Sequence, residues 1–392
     1  MREDFFTYQA QTTPHPLAME ISHAKGSYIY DVAGNAHLDF VAGVSACSLG
    51  HCHPKVVNAV QEQVEKYMHV MVYGEYIQKP AVEYAKLLAS HLPFPLETTY
   101  LVNSGTEAIE GALKLARRVT GRSQIISAHL AYHGNTMGSL SVMGYEPRKS
   151  VFRPLIPDVS FITFNKEEDL LKITHKTAAV LLETIQGAAG FLQPLNGYLT
   201  KVRQRCDETG TLLILDEIQP GFGRTGKLFA FENYNCTPDI LVIGKGMAGG
   251  LPVGAFVASK EMMATLQDQP KLGHITTFGG NPVIAAASLA TLKEITETTL
   301  ISDTLEKEEL FRTLLKHKHI KAINGKGLML AVMLENEEIT NHVVLSCAKK
   351  GLILFWLLFE PKALRISPPL TISKEEIVKG CNLILNVLDD YR

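Results

Sequence analysis

The feature that most restricts this chain is a run of short apolar segments through its middle, each separated from the next by a helical pattern. The segments are residues 99–102, 124–127, 178–182, 212–215, 240–243 and 253–258. They are rich in Val, Ile and Leu without strict alternation, as expected of strands covered on both faces. Strands alternating with helices predict a parallel sheet between two helical layers. A length of 392 residues leaves room for such an α/β domain and a smaller companion.

The ends of the chain read differently. Residues 27–31 and 36–40 form a predicted hairpin around Ala33-Gly34-Asn35. Residues 327–334 and 363–366 read as strands between amphipathic helices. The expected division is a large domain over 55–285 and a small α+β domain built from both termini, 1–54 and 286–392. With 38 Lys and Arg against 40 Asp and Glu, the formal net charge of −2 gives no basic surplus for nucleic acid or an anionic membrane. The longest apolar run, 352–359, falls far short of the ~18 residues of a membrane span. Met1-Arg2-Glu3-Asp4 carries no apolar signal core, and the six cysteines show no framework spacing. Both point to a cytoplasmic protein with reduced thiols.

Ligands of an open parallel sheet bind beyond the carboxyl ends of its strands. Those ends carry Asn103-Ser104-Gly105-Thr106-Glu107, Tyr132-His133-Gly134, Glu183, Asp216-Glu217-Ile218-Gln219 and Gly244-Lys245-Gly246. Ser104 to Glu107 fits a capping box, and such a helix start either simply caps the helix or also binds phosphate. Lys245, between two glycines after a buried strand, is either a desolvated nucleophile or a lysine reaching out to water. Asp216 needs a partner, either a protonated pyridine nitrogen or a cation such as Arg224. The 29 residues from Asp216 to Lys245 suit one helical crossover between neighbouring strands. Tyr132 and His133 are stacking and orienting candidates or plain packing. Together these groups suit a planar, phosphorylated pyridine aldehyde, with its phosphate on Ser104–Thr106, its nitrogen on Asp216 and its aldehyde on Lys245.

These segments, with Glu183-Thr184-Ile185-Gln186-Gly187, Gly221-Phe222-Gly223-Arg224-Thr225-Gly226, Thr276-Thr277-Phe278-Gly279-Gly280-Asn281-Pro282 and Leu364-Arg365-Ile366-Ser367-Pro368-Pro369, resemble the class III pyridoxal-phosphate-dependent aminotransferases. Within that class they are most similar to the acetylornithine/ornithine/4-aminobutyrate branch. The resemblance implies the aspartate-aminotransferase-like fold, pyridoxal 5′-phosphate as cofactor, and a homodimer with shared active sites. It implies that Lys245 bonds the aldehyde and shuttles the proton, Asp216 pairs with the ring nitrogen, Ile218 backs the ring and Gln219 bonds the ring hydroxyl. It gives the phosphate to Ser104, Gly105 and Thr106, and to Thr277 of the neighbouring subunit. It places Tyr132, His133 and Glu183 around the ring, and Arg365 and Thr276 toward the substrate. Arg365 would hold the carboxylate of a 2-oxo acid such as 2-oxoglutarate or pyruvate through a bidentate fork. The implied reaction moves an amino group, expected to be a terminal one, to that acid by a ping-pong mechanism.

Two departures bear on the substrate. The branch carries His-Gly-Arg-Thr, and this chain has His133-Gly134-Asn135-Thr136; the branch carries Gln-Gly-Glu, and this chain has Gln186-Gly187-Ala188. Asn135 offers no charge to a donor carboxylate, so a diamine, another ω-amino compound or a neutral amine is expected, unless a cation from elsewhere replaces the lost one. Cys47, His51, Cys52 and His53 lack the spacing of a structural zinc site, and no metal is expected. Phe355, Trp356 and Phe359 read as core of the small domain. An aminomutase or racemase on the same scaffold, and a non-catalytic binding module, remain alternatives.

Overall fold

The computed structural model of the chain describes residues 1–391. The N-terminal part gives β1 (Ile21–Lys25), β2 (Tyr28–Asp31) and β3 (Ala36–Asp39). The β2–β3 hairpin closes on Asp31, whose Oδ1 accepts from the amides of Ala33 and Asn35 at 3.0 and 2.9 Å. The middle supplies β4 (Thr98–Val102), β5 (Gln124–Ala128), β6 (Val159–Ile162), β7 (Thr177–Glu183), β8 (Leu212–Asp216), β9 (Ile240–Gly244) and β10 (Gly254–Ala258). The C-terminal part adds β11 (Ile320–Lys326), β12 (Met329–Leu334), β13 (Leu352–Ile353), β14 (Phe355–Trp356) and β15 (Ala363–Ile366).

The seven middle strands form one sheet in the order β4-β10-β9-β8-β7-β5-β6. Strands β6, β5, β7, β8 and β9 are parallel, whereas β10 runs antiparallel to both its neighbours. The segment between β9 and β10 explains the reversal. It holds only the short 3-10 turn Lys245–Ala248, too little chain for a parallel crossover. The link from β8 to β9 also corrects an expectation, because it carries the 3-10 turn Ala230–Tyr234 rather than a crossover helix. Edge strand β6 was not anticipated; Val-Ser-Phe-Ile is short, half-buried and weakly patterned. Nor were β1 and β11.

Two four-stranded sheets complete the molecule, β1-β2-β3-β13 and the antiparallel β11-β12-β15-β14. In the first, β13 pairs parallel to β3, with Leu352 opposite Leu38 and Ile353 opposite Asp39. The start and the end of the chain thus share one sheet.

Helix Gly105–Thr120 lies on the large sheet through Ala108, Ile109, Ala112, Leu113, Leu115 and Ala116, all buried. Gly111 lets it press onto β10, since a Cβ there would overlap the Phe256 ring. A second glycine contact fixes the helix start. Gly254 stands opposite both Val102 of β4 and Gly244 of β9, and its missing Cβ leaves room for the carbonyl of Ser104. The strand ends that carry Ser104 and Lys245 are therefore held on either side of Gly254. Replacing Gly254 by Ala drives a methyl into backbone that has nowhere to move. The expected cost is about 1–3 kcal/mol, read as a lowered midpoint in urea unfolding; an unchanged midpoint would mean the strand ends are not tightly coupled.

Candidate active site

The ends of the strands open into a cavity of about 650 Å³ that brings together Gly105, Thr106, Tyr132, His133, Asn135, Glu183, Ala188, Asp216, Ile218, Gln219, Lys245 and Arg365. Most residues singled out in the sequence thus meet in one place. Ser104, Thr276 and Thr277 do not line it. Ser104 Oγ is occupied as the helix cap, accepting from the Glu107 amide at 3.3 Å. The reciprocal half of the capping box is absent, because the Glu107 carboxylate accepts instead from the amide and side chain of Asn103, both at 2.8 Å. Thr276 Oγ1 accepts from the Gly279 amide, and Thr277 is exposed.

At the end of β8, Asp216 is almost fully buried and both its oxygens are used. Oδ2 accepts from His133 Nδ1 at 2.8 Å and Oδ1 from the Ile218 amide at 2.9 Å. Arg224 is not its partner. That guanidinium is fully buried and donates to the carbonyls of Leu328 and Pro368. The bond to the Ile218 amide fixes the backbone that presents the Ile218 side chain. That side chain lies against Gly105, where a Cβ would come within 2.8 Å of it.

Lys245 follows β9 in the left-handed region, φ +44°. Such a conformation is costly for a residue with a Cβ and is found where function demands it. Its Nζ has no hydrogen-bond or ion-pair partner among the described residues. Burial, reinforced by the nearby positive charge of Arg365, lowers its pKa to about 8. Burial likewise brings Arg365 down to about 10, and its Nε and Nη1 lack partners. Glu183 accepts from the Gly187 and Tyr132 amides at 2.9 and 3.2 Å, yet burial raises its pKa to about 7. Gln219 Nε2 donates weakly to Ser45 Oγ at 3.4 Å, and Asn135 Nδ2 donates to the Tyr132 hydroxyl at 3.0 Å.

The cavity end of helix Gly105–Thr120 could receive an anion. The amides of Gly105 and Thr106, at its first turn, lie beside the cavity where the helix dipole favours negative charge. Thr106 Oγ1 is held by the hydroxyls of Thr136 and Ser139 at 2.8 and 2.7 Å. Glu110 steadies that loop by accepting from the amides of Gly138 and Ser139. Glu110 was missed in the sequence, where it is one more acid on a helix face; its signal is the glycine at 138, whose Cβ would overlap the carboxylate.

A sequence model of the class III aminotransferases matches residues 8–388. The chain belongs to that family. Acetylornithine aminotransferase of Caldanaerobacter subterraneus subsp. tengcongensis is 38% identical to this aminotransferase over 380 residues, covering 94% of each chain. The acetylornithine aminotransferase of Methanosarcina mazei is 39% identical over 366 residues, covering 91% of this chain and 88% of the relative. Among solved structures, an ornithine aminotransferase from Toxoplasma gondii, described with partial occupancy of pyridoxal phosphate at its active site, superposes with a TM-score of 0.91 at 30% identity, covering 100% of this chain and 94% of that one. The fold is therefore that of the pyridoxal-phosphate-dependent aminotransferases.

Pyridoxal 5′-phosphate is the cofactor of this family, and the residues present fit it. The free amides of the helix start suit its phosphate, the His133–Asp216 pair suits a protonated ring nitrogen, and Lys245 is an unpartnered amine in the same cavity.

Phe355, expected as core, is instead exposed and lines the cavity with Leu358, whereas Trp356, which also borders the cavity, packs against the core as expected and donates from Nε1 to Asn341 Oδ1. Among the described residues no three His, Cys, Asp or Glu side chains are grouped as for a metal ion, and no helix is long and apolar enough to cross a membrane.

The position of Lys245 predicts a pH profile. Only the neutral amine attacks an aldehyde. Below its pKa of about 8 the neutral fraction falls tenfold per pH unit, so cofactor loading into the cofactor-free enzyme slows on that slope and levels off above it. Stopped-flow absorbance between pH 6.5 and 9.5 measures this; a flat profile would mean that Lys245 is not the group titrating.

Proposed function

We propose that Lys245 is the catalytic lysine of this aminotransferase and that Arg365 receives the carboxylate of its 2-oxo acid. The observation that carries this reading is the presence, in one cavity, of two cationic side chains left without partners, Lys245 beside the buried Asp216 and Arg365 across from it. When bound, the cofactor supplies an aldehyde that takes up the amino group and a ring that draws off the electrons released at the neighbouring carbon. Lys245 Nζ would take the proton from the carbon bearing the donor nitrogen and return it, from the same face, to the carbon at the other end of that nitrogen. Asp216, oriented by His133, keeps a proton on the ring nitrogen by offering negative charge where water is excluded. Glu183 and Tyr132 shape the ring's surroundings, Ile218 supports its face, and Gln219 faces its hydroxyl. Ser104, Gly105 and Thr106 form the phosphate turn, with Ser104 acting through the cap rather than from the cavity wall. Arg365, whose Nε and Nη1 have no partner within the protein, orients the acid.

Lys245→Ala is expected to retain pyridoxal phosphate loosely and to lose about 10²–10⁴-fold in turnover, the usual worth of a positioned acid–base group. The measurement is conversion of 2-oxoglutarate or pyruvate to the amino acid; near-wild-type conversion would overturn the assignment.

On the donor side, Lys245 and Arg365 are, among the described residues, the only lysine or arginine lining the cavity, and Asn135 is committed to Tyr132. We therefore read the donor as an ω-amino compound, a diamine or a neutral amine whose far end is not held as a carboxylate.

We further propose a homodimer with shared sites. The support is an exposed apolar patch outside the cavity that includes Met68, Met71, Tyr76, Ile77, Ile275 and Phe278. Its two segments are joined by the Asn281 side chain, which donates to the Met68 carbonyl at 3.0 Å, and by the His69 and Phe278 rings, 4.9 Å apart. Thr276 and Thr277 lie in the same patch segment, which suits a role toward a second subunit's phosphate and substrate. Phe278→Asp should give a monomer by light scattering and weaken cofactor retention; a dimer of unchanged stability would refute this interface. The division into 55–285 against 1–54 with 286–392 is read in the same spirit, on the β3–β13 pairing. A cytoplasmic site of action is read from six free cysteines, four of them buried.

A further inference from the structure

We propose that a basic pocket on helix Gly105–Thr120, apart from the active-site cavity, binds a small phosphate monoester. The pocket has a volume of about 380 Å³ and lies between the second half of the helix and the segment 265–274. None of its lining residues lines the active-site cavity, so the inference stands independently of the site reading above.

Three cations line it: Lys114, Arg117 and Arg118. Lys114 stands three and four residues before the two arginines, a spacing at which like charges on a helix repel. The helix dipole favours Arg117 and Arg118, which belong to the last turn. It does not account for Lys114, one turn earlier. Among the described residues none of the three makes an ion pair, and every hydrogen bond they form goes to an uncharged acceptor. Arg118 donates from Nε, Nη1 and Nη2 to the carbonyls of Thr265, Gln269 and Asp268 at 3.2, 2.7 and 2.7 Å. Lys114 Nζ donates to the Gly273 carbonyl at 3.3 Å and to His274 Nδ1 at 3.0 Å. Arg117 donates to the carbonyls of Ser123 and Pro157 at 3.0 and 3.4 Å. Burial, reinforced by the Lys114 charge, lowers the pKa of His274, so the charge of that pair stays on Lys114. These bonds hold the three heads in place and cancel none of their charge.

One acid, Asp268, lines the pocket and pairs with none of the cations. Glu110, four residues before Lys114, is committed to the amides of Gly138 and Ser139. The lining is thus positive in a chain whose formal net charge is −2. Donors are also left over: a guanidinium has five N–H groups and an ammonium three, so Arg118 keeps two and Lys114 one. A phosphate monoester brings a charge of about −1.5 to −2 at neutral pH and three acceptor oxygens, which suits those donors. Leu266 and Pro270 add an apolar wall for the organic part of the ligand. The volume is that of a small-molecule site.

The test is equilibrium dialysis of the holoenzyme, its cofactor site filled, against phenyl phosphate, inorganic phosphate and benzoate at low ionic strength. Saturable binding of one phenyl phosphate per chain is expected, tighter than that of inorganic phosphate or benzoate and weakened by added salt. Arg118→Gln and Lys114→Gln should each weaken it about fivefold or more, the worth of one exposed charge contact. Asp268→Asn should tighten it, a gain that damage to the fold would not produce. Lys114 is exposed, so its variant serves should Arg118→Gln not fold. Absence of saturable binding would overturn the site, as would undiminished binding in both cation variants. Loss of binding in Arg365→Ala, with Lys114→Gln unaffected, would place the anion in the active-site cavity and overturn it too. Benzoate binding as tightly as phenyl phosphate would refute the phosphate class, and inorganic phosphate doing so would refute the monoester.

Discussion

The site depends on a carboxylate placed where carboxylates are least comfortable. Asp216 ends a strand buried on both sides and is itself buried, so its place there depends on a donor for each oxygen. One donor orients His133. The other is the Ile218 amide, and through it the carboxylate sets where the Ile218 side chain lies. Ile218 in turn rests on Gly105, the first residue of the phosphate-facing helix, and Gly254 keeps that helix start level with the strand leading to Lys245. Asp216, Ile218, Gly105 and the strand end that carries Lys245 are thus linked through one run of contacts.

The electrostatics follow from enclosure. Burial lowers Lys245 and Arg365 and raises Glu183, each toward its neutral form. Lys245 and Glu183 are thereby brought close to neutral pH, at about 8 and about 7, while Arg365, at about 10, stays a cation there. Two of those groups remain without partners, which is expensive for a protein unless a ligand completes them.

Much of this was legible in the sequence, for a physical reason. Strands buried on both faces announce themselves as apolar runs, and the parallel fold requires the residues after them to share one crevice. Glu183, Asp216 and Lys245, each following such a run, do line one cavity. What escaped depends on contacts distant in sequence. The reversal of β10 is a matter of how much chain precedes it. The pairing of Asp216 with His133 rather than with Arg224 is decided by tertiary packing. Phe355 looks like a core residue by composition, and only its pairing opposite Arg365 turns it toward the cavity.

The sheet shared by the two ends of the chain has a consequence for synthesis. Strand β3 lies near the start, but its parallel neighbour β13 is made only when translation is almost finished. At about 5–20 residues per second, the edge of β3 waits on the order of tens of seconds with its backbone groups unpaired. The early segments must remain soluble on the ribosome through that interval, and the N-terminal sheet closes as one of the last acts of folding. Demand for chaperone help should thus fall on the first residues made, although the catalytic sheet is assembled entirely from the middle of the chain.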